Sequence, residues 1–294
     1  MLQRIVVDLV NIRPPEIFLS PDQRHYLSRV LRLQVGDRFL VMDGQGNTWL
    51  ACLQDGGNSL NAQILEPVET YSELPVTITL VIAIPKGNGF DDVVRQVTEL
   101  GVAVILPVIS DRTLIRPSAH KLDRWRRIAQ EAAEQSERQF VPVILEPISF
   151  SNHLQRFDDS LGHSQEKSIP DQRYLCVTRR QVPQLLDCLL ESNLLENSLL
   201  ESNLLENSLL ENNLLESALS ESALSKSISL SSFSRSMALS VAIGPEGGWT
   251  DAEISQAIAA GYHPVSLGQR ILRTVTAPVV ALSLIAATCE RRYD

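Results

Sequence analysis

Two rhythms of apolar and polar residues divide the chain near residue 72. In residues 1–71, short apolar runs alternate with turn signals: Arg4–Val7, Arg38–Met42 before Asp43-Gly-Gln-Gly46, Thr48–Leu53 before Gly56-Gly57, and Leu60–Leu65. Runs of this length and spacing predict short strands in a small β-barrel or sandwich. Between them, Asp22–Leu33 carries apolar residues at helical spacing. From residue 76 the pattern becomes strand, helix, strand. Val76–Ile84 is an unbroken apolar run, Phe90–Leu100 reads as a helix stopped by Gly101, and Val102–Val108 reads as a second buried strand. Helices over Lys121–Gln139, Asp251–Ala260 and Val279–Arg291, with strands over Tyr174–Thr178, Met237–Ile243 and Pro264–Leu267, complete an α/β pattern. The expected organisation is a β-rich domain over 1–72 and an α/β domain over 73–294.

One stretch fits neither rhythm. Residues 191–230 repeat a five-residue unit, Leu-Leu-Glu-x-x, with no Gly, Pro or aromatic residue. A step of five turns each Leu pair by about 140° on a helix and flips it between faces on a strand, so no single apolar stripe forms. The unit resembles a pentapeptide repeat centred on Leu194, Leu199, Leu204, Leu209, Leu214, Leu219 and Leu224. Seven pentads fall short of the stacked coils that such a solenoid needs to bury a core. The expectation is a low-complexity insertion, disordered or loosely helical, over about 187–232.

Charge changes the picture only once it is localised. The 294 residues carry 26 Lys+Arg against 35 Asp+Glu, a net of −9 that argues at first against a nucleic-acid partner. The repeat alone holds seven Glu and one Lys, a net of −6, which leaves −3 on the other 254 residues. Against that background, residues 112–127 concentrate Arg112, Arg116, Lys121, Arg124, Arg126 and Arg127 against Asp123, and Arg24, Arg29, Arg32 and Arg38 cluster near Asp37. Phosphate contacts and a solvated helix face both account for 112–127. At 44% hydrophobic the chain holds enough apolar residues for a sizeable core. No apolar run approaches the ~18 residues of a membrane span, so no membrane partner is expected. Four scattered cysteines without metal-ligand spacing predict neither a disulfide framework nor a metal site, and a cytoplasmic setting.

The chemistry concentrates in two loops of the last fifty residues. Ala242-Ile-Gly244-Pro245-Glu246-Gly247-Gly248-Trp249 follows a predicted strand, and Thr250-Asp-Ala-Glu253 matches a capping box opening the next helix. Consecutive turn-formers between strand and helix favour a ligand loop over a plain tight turn, because α/β proteins bind ligands at strand C-termini. Val265-Ser-Leu267-Gly268-Gln-Arg270-Ile271-Leu272-Arg273-Thr-Val-Thr276-Ala-Pro278 likewise leaves a short strand and enters a helix. Arg270 and Arg273 are either functional or plain surface charge. Dinucleotide, P-loop, serine-hydrolase and zincin motifs are all missing.

These two loops resemble the 16S ribosomal RNA uridine-N3 methyltransferase family of the SPOUT superfamily. Further matches come in order: His25-Tyr-Leu-Ser-Arg29-Val-Leu-Arg32 with Gly36-Asp37, Pro85-Lys86-Gly87 with Gln96-Val-Thr-Glu99-Leu-Gly101, and Glu131-Ala-Ala-Glu134-Gln135-Ser136-x-Arg138 with Val141-Pro142. The resemblance spans nearly the whole chain outside about 151–170 and the repeat. It implies a small N-terminal PUA-like β-barrel that binds RNA, and a C-terminal SPOUT α/β domain with a trefoil knot. It implies S-adenosylmethionine as cofactor, held by Gly244, Pro245, Glu246, Gly247, Gly248, Leu267, Gly268, Ile271, Leu272 and Arg273, with Val177-Thr178 as a third wall. It also implies a homodimer acting on 16S rRNA in the small ribosomal subunit.

Uridine N3 carries a proton and faces its pairing partner, so the base must be unpaired and N3 deprotonated before it attacks the sulfonium methyl. Arg273 is the candidate to stabilise the resulting anion. Glu246 stands either as general base or as a loop-shaping carboxylate. RNA contacts are assigned to Arg24, Arg29, Arg32 and Arg112. The chain departs from the family pattern at Val275, where Glu is common, and at Glu137, where Gly is frequent. Two alternatives stay open: a SPOUT methyltransferase for another RNA, such as tRNA or 23S rRNA, and a non-catalytic RNA-binding or assembly factor with Val275 as its mark of lost activity. Deletion of residues 191–230 is expected to leave methylation of small subunits unchanged, measured by transfer of labelled methyl groups.

Overall fold

The computed structural model describes residues 2–55, 60–70, 72–87, 89–113, 117–160, 172–192 and 238–290. The repeat lies outside them, except for Glu191 and Ser192 at the end of a short helix, and Arg116 of the basic run lies outside them too. The N-terminal residues build one six-stranded sheet. Its strands are β1 (Arg4–Val6), β2 (Ile12–Arg13), β3 (Glu16–Ile17), β4 (Arg38–Met42), β5 (Thr48–Asp55) and β6 (Leu60–Pro67), in the order β1-β4-β5-β6-β3-β2. All neighbours are antiparallel except β1 and β4. Ile5, Ile17, Phe39, Val41, Ala51 and Leu53 point to one core, which Leu27 completes. The hairpin of β2 and β3 is absent from the expected strands, because two-residue strands carry no alternation.

The helix expected over Asp22–Leu33 is shorter. It comprises α1 (Pro21–His25), opened by a Ser20/Gln23 capping box, and one π-helical turn (Tyr26–Val30). Arg32 at φ 58° then turns the chain out of the helix.

The described residues between 77 and 290 form a second sheet, parallel at every pairing among them, between two layers of helices. In chain order the elements are β7 (Thr77–Ala83), α2 (Gly89–Glu99), β8 (Val104–Ile109), α3 (Ala119–Gln135), β9 (Val143–Ile144), β10 (Ile148–Ser149), α4 (Phe150–Ser160), β11 (Gln172–Cys176), α5 (Leu185–Glu191), β12 (Ala238–Ile243), α6 (Asp251–Ala259), β13 (His263–Val265) and α7 (Ala277–Glu290). The strand order is β10-β8-β7-β12-β11-β13, with β9 also on the outer edge of β8. Ile78, Leu80 and Ile82 face α2, α3, α5 and α7, while Val81 and Ala83 face α4 and α6. A strand covered on both faces reads as a continuous apolar run, which is why β7 is legible in the chain. No helix among the described residues is long and apolar enough to cross a membrane.

Helix α3 ends at Gln135 rather than at the expected Gln139. Ser136 caps it, and Glu137 takes the left-handed conformation at φ 60°. Gly adopts that conformation freely, whereas a residue with a Cβ loses about 1–2 kcal/mol there. This explains why Glu137 is a departure from a Gly position. Its carboxylate lies 3.4 Å from Arg4 Nη2 of the first sheet.

The left-handed turn sends Arg138 inward. Its Nε and Nη2 donate to the two carboxylate oxygens of Glu73 at 3.2 and 2.9 Å, and its Nη1 donates to the carbonyls of Thr98 and Val102 at 3.0 and 2.7 Å. Glu73 Oε1 also accepts from the amides of Gln139 and Phe140. The two side chains are 3% and 9% exposed. Around this node the sheets are stitched directly: Gly46 N donates to Gln139 O at 3.2 Å, Val141 N to Gly44 O at 3.0 Å, and Val6 N to Glu134 Oε1 at 2.7 Å. Burial raises the Glu134 carboxyl above its usual range despite that last bond.

Removing one partner of a buried, hydrogen-bonded pair strands the other charge. Arg138→Met is therefore expected to cost about 3–5 kcal/mol in urea unfolding. The Glu73→Gln, Arg138→Met double variant should recover part of that stability.

Candidate active site

Parallel strands deliver their C-terminal ends to one edge of the sheet, where α/β proteins bind ligands. Here the segments after β7, β12, β11 and β13 follow one another along that edge. The segment after β12 is the Gly-Pro-Glu-Gly-Gly turn. Gly248 N donates to Pro245 O at 2.8 Å, closing the turn, with Gly248 at φ 69°. Gly244 passes so close to the Trp249 indole that a Cβ there would lie 3.1 Å from it. The indole stacks on Phe150 of α4 at 4.2 Å, so the loop is anchored on the core side by an aromatic pair.

Polar contacts fix the turn on its other side. Glu246 Oε1 accepts from Lys86 N at 2.9 Å, tying the turn to the segment after β7. Arg112 Nη1 donates to Gly247 O at 2.6 Å. The predicted capping box is present: Thr250 Oγ1 accepts from Glu253 N, and Glu253 Oε2 accepts from Thr250 N. Buried Glu253 has a second duty, accepting from Asp111 N at 2.9 Å, which links α6 to the end of β8. The contacts to Lys86 N and Asp111 N escape a reading of the sequence, because a backbone donor leaves no residue signature.

The second loop leaves β13 two strand positions away, roughly 10 Å in the hydrogen-bonding direction. Gly268, at φ 107°, donates its amide to Ser266 Oγ. Ser266 N bonds Pro183 O, and Val177 N bonds Val265 O, so the segment after β11 runs alongside. Leu267 and Leu272 are half-buried against the main core, while Ile271 is 62% exposed. Arg270 and Arg273 are exposed, and neither has a side-chain partner among the described residues. Thr276 N and Ala277 N both donate to Arg273 O, which fixes the backbone of Arg273 at the entrance to α7. Val275 packs on the start of α2, where a Cβ on Gly89 would lie 2.7 Å from Val275 Cγ1. Burial pushes the Cys176 thiol, at the end of β11, up to about 12.

The structure thus brings Gly244–Gly248 and Leu267–Arg273 to one edge, and Arg112 joins them. Arg24, Arg29 and Arg32 lie apart, on the α1 segment of the first sheet, where Arg29 and Arg32 are exposed. Trp125 and Trp249 are buried and Trp49 is half-buried against its core.

A family model for the RNA methyltransferase domain matches residues 72–286, and one for the RNA methyltransferase PUA domain matches residues 19–65. A ribosomal RNA small subunit methyltransferase E from Synechocystis is 42% identical over 99% of this chain and 79% of its own length. The chain belongs to the ribosomal RNA small subunit methyltransferase E family. A Bacillus subtilis member is 26% identical over 98% of both chains. The crystal structure of a member from Neisseria gonorrhoeae, bound to S-adenosyl methionine, superposes with a TM-score of 0.69 at 27% identity, covering 97% of each chain. In this family member the two domain matches fall on the two sheets, and both candidate loops lie inside the methyltransferase match.

Gly244→Ala would push a methyl group into the indole. Overpacking of this kind is expected to lower stability by about 1–3 kcal/mol and to alter the Trp249 emission, read by thermal unfolding and fluorescence.

Proposed function

We propose that this family member transfers a methyl group from S-adenosylmethionine to N3 of a uridine in the 16S rRNA of the small ribosomal subunit. The single observation that carries the site assignment is the convergence of Gly244–Gly248 and Leu267–Arg273 on one sheet edge. The loops fit such a cofactor: a Cβ built on Gly248 or Gly268 meets no atom within 4 Å, so the peptide planes face open space. Gly244, Pro245, Glu246, Gly247 and Gly248 would hold it from one side, and Leu267, Gly268, Ile271, Leu272 and Arg273 from the other. When bound, the cofactor supplies an electrophilic sulfonium methyl.

The remaining chemistry belongs to the chain. Uridine N3 becomes nucleophilic once its pairing partner is gone and its proton has passed to solvent water. Arg273, exposed and unpaired among the described residues, is the fixed positive charge that favours the N3 anion. The bond from Lys86 N supports a positioning role for Glu246 over that of general base. Arg24, Arg29 and Arg32 contact RNA from the first sheet. The bond from Arg112 to Gly247 O leaves Arg112 as a link between loop and RNA.

The proposal extends to the assembly. The first sheet curls as a PUA-like barrel over 1–72. The placement of β12 between β7 and β11, with α7 packed on α2 and α5, supports a SPOUT-type trefoil knot in 73–294. The enzyme works as a homodimer in the cytoplasm.

The test is incubation of unmodified small subunits with the protein and labelled cofactor, with the product mapped by mass spectrometry. A single N3-methyluridine in 16S rRNA is expected, and methylation elsewhere or not at all rejects the proposal. Arg273→Ala is expected to lower turnover about 10²–10³-fold. Full turnover by that variant, with RNA and cofactor bound normally, removes the anion role.

A further inference from the structure

A cleft of about 240 Å³ opens beside the end of β7, between the N-terminal ends of α2 and α3. Gly87 and Asp91 form one side of it, and His120, Lys121 and Arg124 form the other, with Phe90 and Trp125 in its wall. The two rings are buried and lie 4.3 Å apart, so they furnish a rigid back rather than a stacking platform.

The charges in this cleft do not balance. Asp91 is fully engaged: Arg124 donates to its Oδ2, with Nη2 at 2.7 Å, and Trp125 Nε1 donates to its Oδ1 at 3.1 Å. Arg124 and Asp91 therefore cancel. His120 and Lys121 have no side-chain partner among the described residues. Both sit in the first turn of α3, which has no acidic residue there and no side-chain cap from Ser118. Helix N-termini repel cations and attract anions. In α1 and α6 the same chain places capping boxes and acids at that position. An unpaired lysine beside a histidine N–H donor, on an uncapped helix N-terminus at the mouth of a cleft, constitutes an anion site.

The cleft also adjoins both candidate loops. Lys86, next to Gly87, gives its amide to Glu246, and Gly89, next to Phe90, touches Val275. We propose that His120 and Lys121 seat a backbone phosphate of the substrate RNA strand close to the methylated nucleotide, with the Asp91–Arg124 pair as the wall that shapes the cleft. This rests on the methyltransferase reading above and names the phosphate site that reading lacks. It also distinguishes Lys121 within the basic run 112–127 as a cation that lines the cleft and has no side-chain partner among the described residues.

The experiment compares the wild-type chain with Lys121→Ala, His120→Ala and, as control, Arg95→Ala, an exposed cation paired with Asp92. Binding to unmodified small subunits is measured across a salt series, and KM for subunits and for S-adenosylmethionine is measured separately. Removing one phosphate-binding cation lowers the slope of log affinity against log salt by about 0.7–0.9. Lys121→Ala is expected to show that drop and a several-fold higher KM for subunits, with cofactor affinity by calorimetry unchanged; Arg95→Ala should match wild type. An unchanged slope in Lys121→Ala, or a change in cofactor affinity instead, overturns the proposal. Absence of methylation by the wild type would overturn the parent reading alone, since the salt series reads the cleft without turnover.

Discussion

Arg138 and Glu73 meet where water is excluded, and a buried guanidinium is tolerated only when its donors are all received. Glu73 takes two of them, and the carbonyls of Thr98 and Val102 take the third group. Those acceptors belong to the end of α2, the approach to β8 and the link between the two sheets. The node therefore fixes how α3 leaves its last turn and how both helices align. At the opposite ends of the same helices, Asp91 holds Arg124 and Trp125. Two polar clamps, one buried and one at the surface, set the spacing of α2 and α3 along their length. The cleft between their N-termini keeps its width for that reason, and with it the position of the segment after β7 that receives Glu246.

Elements buried on both faces are readable in the chain because burial dictates residue type at every position. Val76–Ile84 and Met237–Ile243 are such runs, and both supply central strands. Elements of two residues, such as β2, β3, β9 and β10, carry too few positions for any period, and α4 is not among the expected helices. The end of α3 is misplaced for another reason. Glu137 is an ordinary helix former by composition, and only its left-handed φ stops the helix. Pairing order is also silent in the pattern: nothing in residues 238–243 announces that they lie between β7 and β11.

The candidate site's geometry is legible to the extent that it depends on glycine, proline and capping residues, which have local geometric meaning. The Gly244–Gly248 turn and the Thr250–Glu253 box are of that kind. What escapes are bonds to backbone amides from distant carboxylates, as in Glu246 with Lys86 and Glu253 with Asp111, and the bond of Arg112 to a carbonyl. The basic run 112–127 is visible as a sum, whereas its division into paired and unpaired cations requires the neighbouring helix. Arg124 and Arg126 are neutralised by acids from α2, α3 and the segment after β9. Lys121 is not, and no one-dimensional count separates it from them.

The strand order has a consequence for synthesis. β7 pairs with β8 soon after both emerge, but its other edge waits for β12, and residues 84–237 must be translated in between. At about 5–20 residues per second, that interval lasts roughly 10–30 s. Throughout it the nascent chain carries an apolar strand with an open row of amides and carbonyls, the template on which edge-to-edge association starts. Closure of the core on that side therefore waits for β12, and the lengthy connection before it prolongs the exposure of the open edge.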